Sequence, residues 1–289
     1  MKGVAMKGLG RFLLTTAVVV IAVLAGMRVW SYYMDEPWTR DGRVRADVVG
    51  LAPDVSGLVA RVLVHDNQAV KQGDVLFTLD PARFKLALTI ADAVVKSRLA
   101  ALQEALREAH RYGSLSNAEV SQEKQQQSQS AADQALGAYQ QAIADRDLAQ
   151  LNLDRSAVRA TVNGVVTNFD LQPGDYVTAG HAVTALVDTD SLYVDGYFEE
   201  TKLRKIHVGD PAKVQLMGED QWLAGHVQSI AGGIADPDRG AGANLLANVN
   251  PTFNWVRLAQ RIPVRILLDH PPADIRLIPG RTATVRIDK

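Results

Sequence analysis

The chain has 289 residues, which at roughly 100–200 per domain predicts about two compact units. Apolar residues make up 47% and charged residues 22%, so a sizeable core forms and wholesale disorder is excluded. Against 31 Lys+Arg stand 32 Asp+Glu, a balance that argues against nucleic acid as a partner, since phosphate binding depends on an excess of clustered positive charge. Cysteine is absent, and with it disulfides, thiolate metal sites, thiol nucleophiles and a lipidated cysteine.

The amino end sets the compartment. Phe12 to Met27 is an uncharged run, and Val29-Trp30 extends it past Arg28. A span of about 20 apolar residues crosses the hydrocarbon core, and an arginine near its end can snorkel to the headgroups. Trp30, Tyr32 and Tyr33 fall where an interfacial aromatic belt belongs. Lys2, Lys7 and Arg11 precede the span and Asp35 and Glu36 follow it, so residues 1–11 are expected in the cytoplasm and the bulk across the membrane. The alternative is a cleaved signal peptide, with Val23-Leu24-Ala25 as a small-residue cleavage site. Export follows either way. After a linker, the short alternation Val44/Ala46/Val48 reads as a strand that joins the carboxy-terminal sheet, placing the linker and this strand at 31–48.

Residues 55–79 and 162–186 match at a constant offset of 107 without a gap. Val55 pairs with Val162, Gly57 with Gly164, Val59 with Val166, Val70 with Val177, Gly73 with Gly180 and Leu79 with Leu186. Alternating apolar positions with glycine at each bend are a strand–turn–strand signature. One copy is too small to bury a core, whereas two packed together make a small β-sandwich from 49–80 plus 157–190.

Between the copies the texture changes. No proline occurs from Ala82 to Gln172, in a chain that holds 11, and alanine and glutamine dominate residues 82–155. These are strong helix formers, and Pro81 suits a helix start. Leu88, Val95, Leu102 and Ala109 fall seven apart, with Leu99 and Leu106 offset by four, which predicts a seam. The second arm carries Ala132, Ala135, Leu136, Tyr139, Ala142, Ile143 and Ala149. A break at Tyr112-Gly113-Ser114-Leu115 is followed by Ser116-Asn117-Ala118-Glu119, whose capping-box form predicts the second helix start. The insert, 81–156, reads as a helical hairpin projecting about 45–55 Å, because the flanking half-repeats must reunite. A separate helical domain is the alternative. Residues 191–289 return to strand character in Val214/Leu216, Val264/Ile266/Leu268 and Ala283/Val285/Ile287, with Pro263 pointing to an edge strand or bulge. Residues 231–250 read as a long mobile loop.

Catalytic patterns are missing. The six histidines lack metal-ligand spacing, no phosphate-binding loop or nucleophile elbow occurs, and Asp236 and Asp238 read as turn aspartates. No enzyme activity, cofactor or metal is expected.

The order of parts resembles the periplasmic adaptor (membrane fusion) proteins of the HlyD type. The half-repeats are similar to split biotinyl-lipoyl halves, in Pro53–Val59 (PDVSGLV), Val70–Pro81 (VKQGDVLFTLDP) and Ala160–Val177. Within that family the chain is most similar to the adaptors of p-hydroxybenzoic acid efflux pumps, through Thr39–Asp47, Gly196–Leu203 and Asn250–Arg265. The resemblance implies a mainly β fold with an inserted α-helical hairpin, a transmembrane anchor at 12–30, a split lipoyl-like sandwich and a β-barrel domain. It also implies an inner-membrane permease, an outer-membrane channel of the TolC type, a homo-oligomeric ring of six, and export of aromatic carboxylic acids or related small molecules from a Gram-negative cell. Channel docking in such adaptors is attributed to an Arg–Leu–Ser constellation at the hairpin tip, which maps to Arg111, Leu115 and Ser121. The Leu-to-Ser interval is one residue shorter here than in the best-known efflux adaptors. On residues alone, Arg111 also suits a helix carboxy-terminus. Adaptors for multidrug, polypeptide or polysaccharide export share the architecture. A carrier module of an enzyme shares only the half-repeats, and Lys85 falls on the helix rather than on the turn that a carrier lysine requires.

Overall fold

The structure is a computed structural model that describes residues 15–28, 30, 36–115, 120–234, 239–241, 247–249, 259–272 and 275–288. Residues 15–28 are helical (α1) and exposed throughout. Among the described residues no helix is long and apolar enough to cross a membrane. The expected 12–30 span lies partly outside them, as do the amino-terminal charges, Tyr32, Tyr33, Asp35, Asp236 and Asp238.

The chain divides into two units, residues 47–190 and residues 1–46 with 191–289. In the first, β2 (Val48–Leu51), β3 (Gly57–Val62), β4 (Ala69–Val70) and β5 (Val75–Leu79) form one half. The other half comprises β6 (Ala157–Arg159), β7 (Gly164–Thr167), β8 (Tyr176–Val177) and β9 (Thr184–Asp188). The halves exchange strands, giving sheets of order β2-β9-β7-β4 and β6-β5-β3-β8. Two strands of each half thus lie in the sheet of the other, and neither sheet exists without both copies. The matched pairs Val59/Val166, Val70/Val177 and Leu79/Leu186 are all buried in one core with Leu76 and Phe77. Gly73 and Gly180 both take the left-handed conformation that the repeat assigns them, at φ +92° and +78°.

The insert leaves this core as α2 (Ala82–Gly113) and returns as α3 (Gln122–Arg155). Their 32 and 34 residues span about 48 and 51 Å. Pro81 caps the first arm, and the Asp80 carboxylate accepts from the Ala82 N–H at 3.0 Å. Both ends are pinned to one sandwich, since the Leu79 N–H donates to the Ser156 carbonyl at 2.8 Å and Arg155 pairs with Asp54 at 3.0 Å. The insert is therefore a hairpin and not a separate domain.

The seam between the arms departs from expectation in two places. The seven-residue series Leu88, Val95, Leu102, Ala109 does face inward, joined by Phe84, Ala91, Ala105 and Tyr112. Leu99 and Leu106, however, are 36% and 50% exposed, and Leu136 on the second arm is 43% exposed. Ala132 and Ala142 are buried with Ser128. Alanine at the contacts brings the backbones close, so a leucine offset by four has no hole to enter and lies on the flank.

The second unit is a closed barrel of order β1-β10-β15-β12-β11-β16. Its strands are β1 (Trp38–Arg45), β10 (Tyr193–Glu199), β11 (Pro211–Leu216), β12 (Trp222–Ile230), β15 (Arg261–Leu268) and β16 (Thr282–Ile287). Every second side chain points inward, and Val44, Val194, Phe198, Val214, Val227, Ile266 and Val285 are fully buried. The expected alternations hold, with one correction. Val44 enters the barrel, but Val48 is exposed on β2 of the sandwich, since the chain passes between units at Ala46–Asp47. β15, with Pro263, is no edge strand, because closure leaves none, and the register shift falls on its neighbour β12 between Val227 and Ser229. Within the expected loop 231–250, β13 (Arg239–Ala241) and β14 (Ala247–Val249) pair antiparallel. On the outer face, burial pushes the Asp195 carboxyl up, against the opposing pull of Arg265 and Arg45.

The last strand is held at its end by charge. Asp288 accepts from Lys213 at 2.6 Å and from Arg286 at 2.9 Å, and these bonds hold its carboxyl below the usual carboxylate range. A depressed folded-state pKa adds stability that is present above the unfolded value and lost as pH falls through the folded one. Asp288→Asn is therefore expected to cost about 0.5–1 kcal/mol at neutral pH, with the difference vanishing below the carboxylate range. Urea titrations of both proteins at neutral and acid pH check this, and a pH-independent difference would refute it.

Candidate docking site at the hairpin tip

The tip is built from the end of α2 and the start of α3. Arg111 lies in the last turn of α2, where a cation complements the helix dipole. Its guanidinium is 3.8 Å from Glu108 and 5.2 Å from the centre of the Tyr112 ring. One turn earlier, Arg107 binds Glu104 and holds that carboxyl below its ordinary range, with a smaller contribution from Arg111. Leu115 closes the described part of the first arm and is 37% exposed. Ser121 is the cap of α3, its hydroxyl accepting from the Lys124 N–H at 3.3 Å.

The Ser116–Glu119 box lies outside the described residues, and the helix starts only at Gln122. Ser121, expected as a docking residue, has a capping role, so its hydroxyl is oriented by the helix it starts.

Three side chains that the sequence did not single out hold the tip together. Tyr112 packs in the seam, with Lys124 at 5.5 Å from its ring centre in addition to Arg111. Gln125 crosses between arms, donating to the carbonyls of Tyr112 at 3.2 Å and Leu115 at 3.3 Å. The signal for Tyr112 was the heptad run through Ala105 and Ala109. Nothing local marks Gln125, whose role depends on the opposite arm. Beside the tip, Leu106, Ala109, His110, Gly113, Ser114 and Gln129 line an open groove of about 440 Å³. The end of the hairpin thus presents an exposed leucine, Leu115, and two exposed cations, Arg111 and Lys124. Among the described residues no group of His, Asp and Glu could hold a metal ion.

Residues 47–189 match the family model described as RND MFP, barrel-sandwich hybrid domain, and residues 191–288 match the AAEA-like beta-barrel domain. The uncharacterized protein YdhJ of Escherichia coli (strain K12) is 40% identical over 277 residues, covering 96% of this chain and 97% of YdhJ. The chain belongs to the membrane fusion protein family of HlyD-type adaptors. Solved membrane fusion proteins share its fold. Spr0693 of Streptococcus pneumoniae R6 superposes with a TM-score of 0.64 at 18% identity, over 87% of this chain and 98% of that one. A MacA–MexA chimera carrying the Pseudomonas aeruginosa MexA α-hairpin domain gives 0.56 at 20% identity, over 87% and 82%. A strand-exchanged sandwich carrying a helical hairpin, together with a six-stranded barrel, is thus the architecture of a membrane fusion protein here too.

Proposed function

We propose that the protein is the periplasmic adaptor of a tripartite efflux pump, linking an inner-membrane permease to an outer-membrane channel of the TolC type. The observation that carries this reading is the hairpin, two arms of about 50 Å whose ends are both pinned in one sandwich. Such a rod transmits position over a distance and performs no reaction, so the protein acts as a scaffold and not as an enzyme. Exposed leucines along both arms, among them Leu86, Leu106, Leu148 and Leu151, favour side-by-side packing of copies in a ring of six. α1 has no protein cover on its apolar side chains, which favours residues 12–30 as a single-pass anchor in a Gram-negative inner membrane, with the bulk periplasmic. The proposed division of labour gives the barrel at 191–289 to the permease side and the tip at Arg111, Leu115 and Ser121 to the channel. Similarity to the p-hydroxybenzoic acid efflux type supports aromatic carboxylic acids as cargo.

A photo-crosslinking amino acid at Leu115 in living cells tests the reading. The expected product is an adduct with an outer-membrane channel. Leu115→Asp is expected to abolish export while leaving thermal melting unchanged, because the side chain lies outside the seam. Absence of any channel adduct in cells that express the folded protein would overturn the tip assignment.

A further inference from the structure

The first arm of the hairpin has no stop of its own. Helices commonly end on a left-handed glycine that turns the chain away and satisfies the last carbonyls. In α2 the glycine of the last turn, Gly113, stays within the helix and does not take a positive φ. Ser114 follows in the right-handed conformation, at φ −89° and ψ −8°. Local groups satisfy only part of this end. The Ser114 N–H donates to the His110 and Tyr112 carbonyls, and its hydroxyl donates to the Arg111 carbonyl at 2.8 Å. The Leu115 N–H stands 3.4 Å from the Tyr112 carbonyl, near the limit of a hydrogen bond.

The missing partner comes from the second arm. The Gln125 side-chain nitrogen donates to the carbonyls of Tyr112 at 3.2 Å and Leu115 at 3.3 Å. An amide NH₂ carries two hydrogens, so one side chain meets both carbonyls. Of the five glutamines between 122 and 129, Gln125 is half-buried and the others are exposed. Its backbone is set by α3, the N–H on the Ser121 carbonyl at 3.2 Å and the carbonyl accepting from the Ser128 hydroxyl at 2.8 Å. A separate tie joins the same two elements. The Tyr112 ring has Arg111 at 5.2 Å and Lys124 at 5.5 Å from its centre, and this contact does not involve the amide.

We infer that Gln125 is the positioning residue of the tip: its amide ends α2 from the opposite arm and fixes Leu115 where a partner meets it. A segment ordered only on binding lowers affinity by the cost of ordering it, and one held beforehand does not. The amide acts by donating, so another donor at this position preserves the effect. An acceptor of the same shape loses it. As a docking role this rests on the adaptor reading. As the stop of a helix it stands on the geometry alone.

Gln125→Glu and Gln125→Lys, compared in the full-length protein, test the inference. Glutamate keeps the shape of glutamine but turns only acceptors toward the two carbonyls. Near the start of α3 a carboxylate is favoured by the helix dipole, so a role confined to α3 predicts that Gln125→Glu tightens the tip. The positioning role predicts the opposite. Amide hydrogen exchange of Gly113–Leu115 in the detergent-purified protein should rise about five- to tenfold, with thermal melting unchanged. Gln125→Lys can still donate to the last carbonyls and should exchange within about twofold of the unsubstituted protein. In living cells, the channel adduct from a photo-crosslinker at Leu115 should fall about fivefold in Gln125→Glu and persist in Gln125→Lys. Exchange unchanged or slowed in Gln125→Glu, or equally fast in both variants, would overturn the helix stop. Faster exchange with an undiminished adduct would overturn the positioning role. Where the unsubstituted protein gives no adduct and exchange responds as expected, the docking reading falls and Gln125 remains the stop of α2.

Discussion

Gly164→Ala is expected to unfold the sandwich, whereas Gly57→Ala leaves it folded. The two glycines hold the same place in the two half-repeats, and both are buried. A Cβ on Gly164 would lie 2.0 Å from the Val187 carbonyl oxygen and 2.9 Å from its carbonyl carbon, in the β7–β9 pair. Backbone on a paired strand cannot rotate away as a side chain can, so the sheet itself must separate. A Cβ on Gly57 meets only the Leu79 side chain at 3.5 Å, which is ordinary contact. The expected costs are about 4 kcal/mol or more for Gly164→Ala and about 1 kcal/mol or less for Gly57→Ala. Urea unfolding, with limited proteolysis of the purified proteins, reads the difference. Equal stability of the two variants would show that β7 and β9 do not approach as closely as described.

Phe198→Ala is expected to cost the barrel about 3–5 kcal/mol, as the largest inward side chain of the barrel is fully buried there. Its ring also explains Gly196. A Cβ at Gly196 would lie 2.8 Å from Phe198 Cε2 and 3.4 Å from Ile266 Cδ1, so the ring fills the space a side chain would take. Gly196→Ala alone should cost about 1–3 kcal/mol through overpacking. With Phe198→Ala already made, the added methyl enters vacated space, and the double variant should be more stable than the sum of the single losses predicts by about 1 kcal/mol. A double-mutant cycle in urea measures this, and additive losses would mean that ring and glycine are not in contact.

These two predictions also mark the limit of what a linear reading reaches. The repeat at offset 107 identified Gly57 and Gly164 as equivalents, and their equivalence in chain position is real. Their inequality arises because Gly164 lies against the Val187 carbonyl of β9 while Gly57 faces a side chain. The exchange of strands between halves was likewise invisible, since period-two alternation states which face is buried but not which strand lies alongside. The alternations Val214/Leu216 and Val264/Ile266/Leu268 were legible for the same reason, and all five side chains are buried.

The hairpin separates the two kinds of information in the same way. Absence of proline, abundance of alanine and glutamine, and the series Leu88, Val95, Leu102, Ala109 are local, and they specified two helices and one inward face. Whether Leu99, Leu106 and Leu136 enter the seam depends on how close the arms approach, which the small residues of the opposite arm decide. Ser121 caps α3 at Gln122, a role that a local pattern with two nearby serines does not disclose in sequence. Gln125 is the plainest case. Gln122, Gln126 and Gln127 look the same in sequence, and only the folded hairpin brings the Gln125 amide to the carbonyls of Tyr112 and Leu115. By itself the sequence determined the units, the helices, the buried faces and the hairpin, because each follows from short-range periodicity and composition. Strand partners, the inequality of matched glycines and the bond from Gln125 to the first arm were decided by tertiary structure, because each depends on distances between atoms on separate elements.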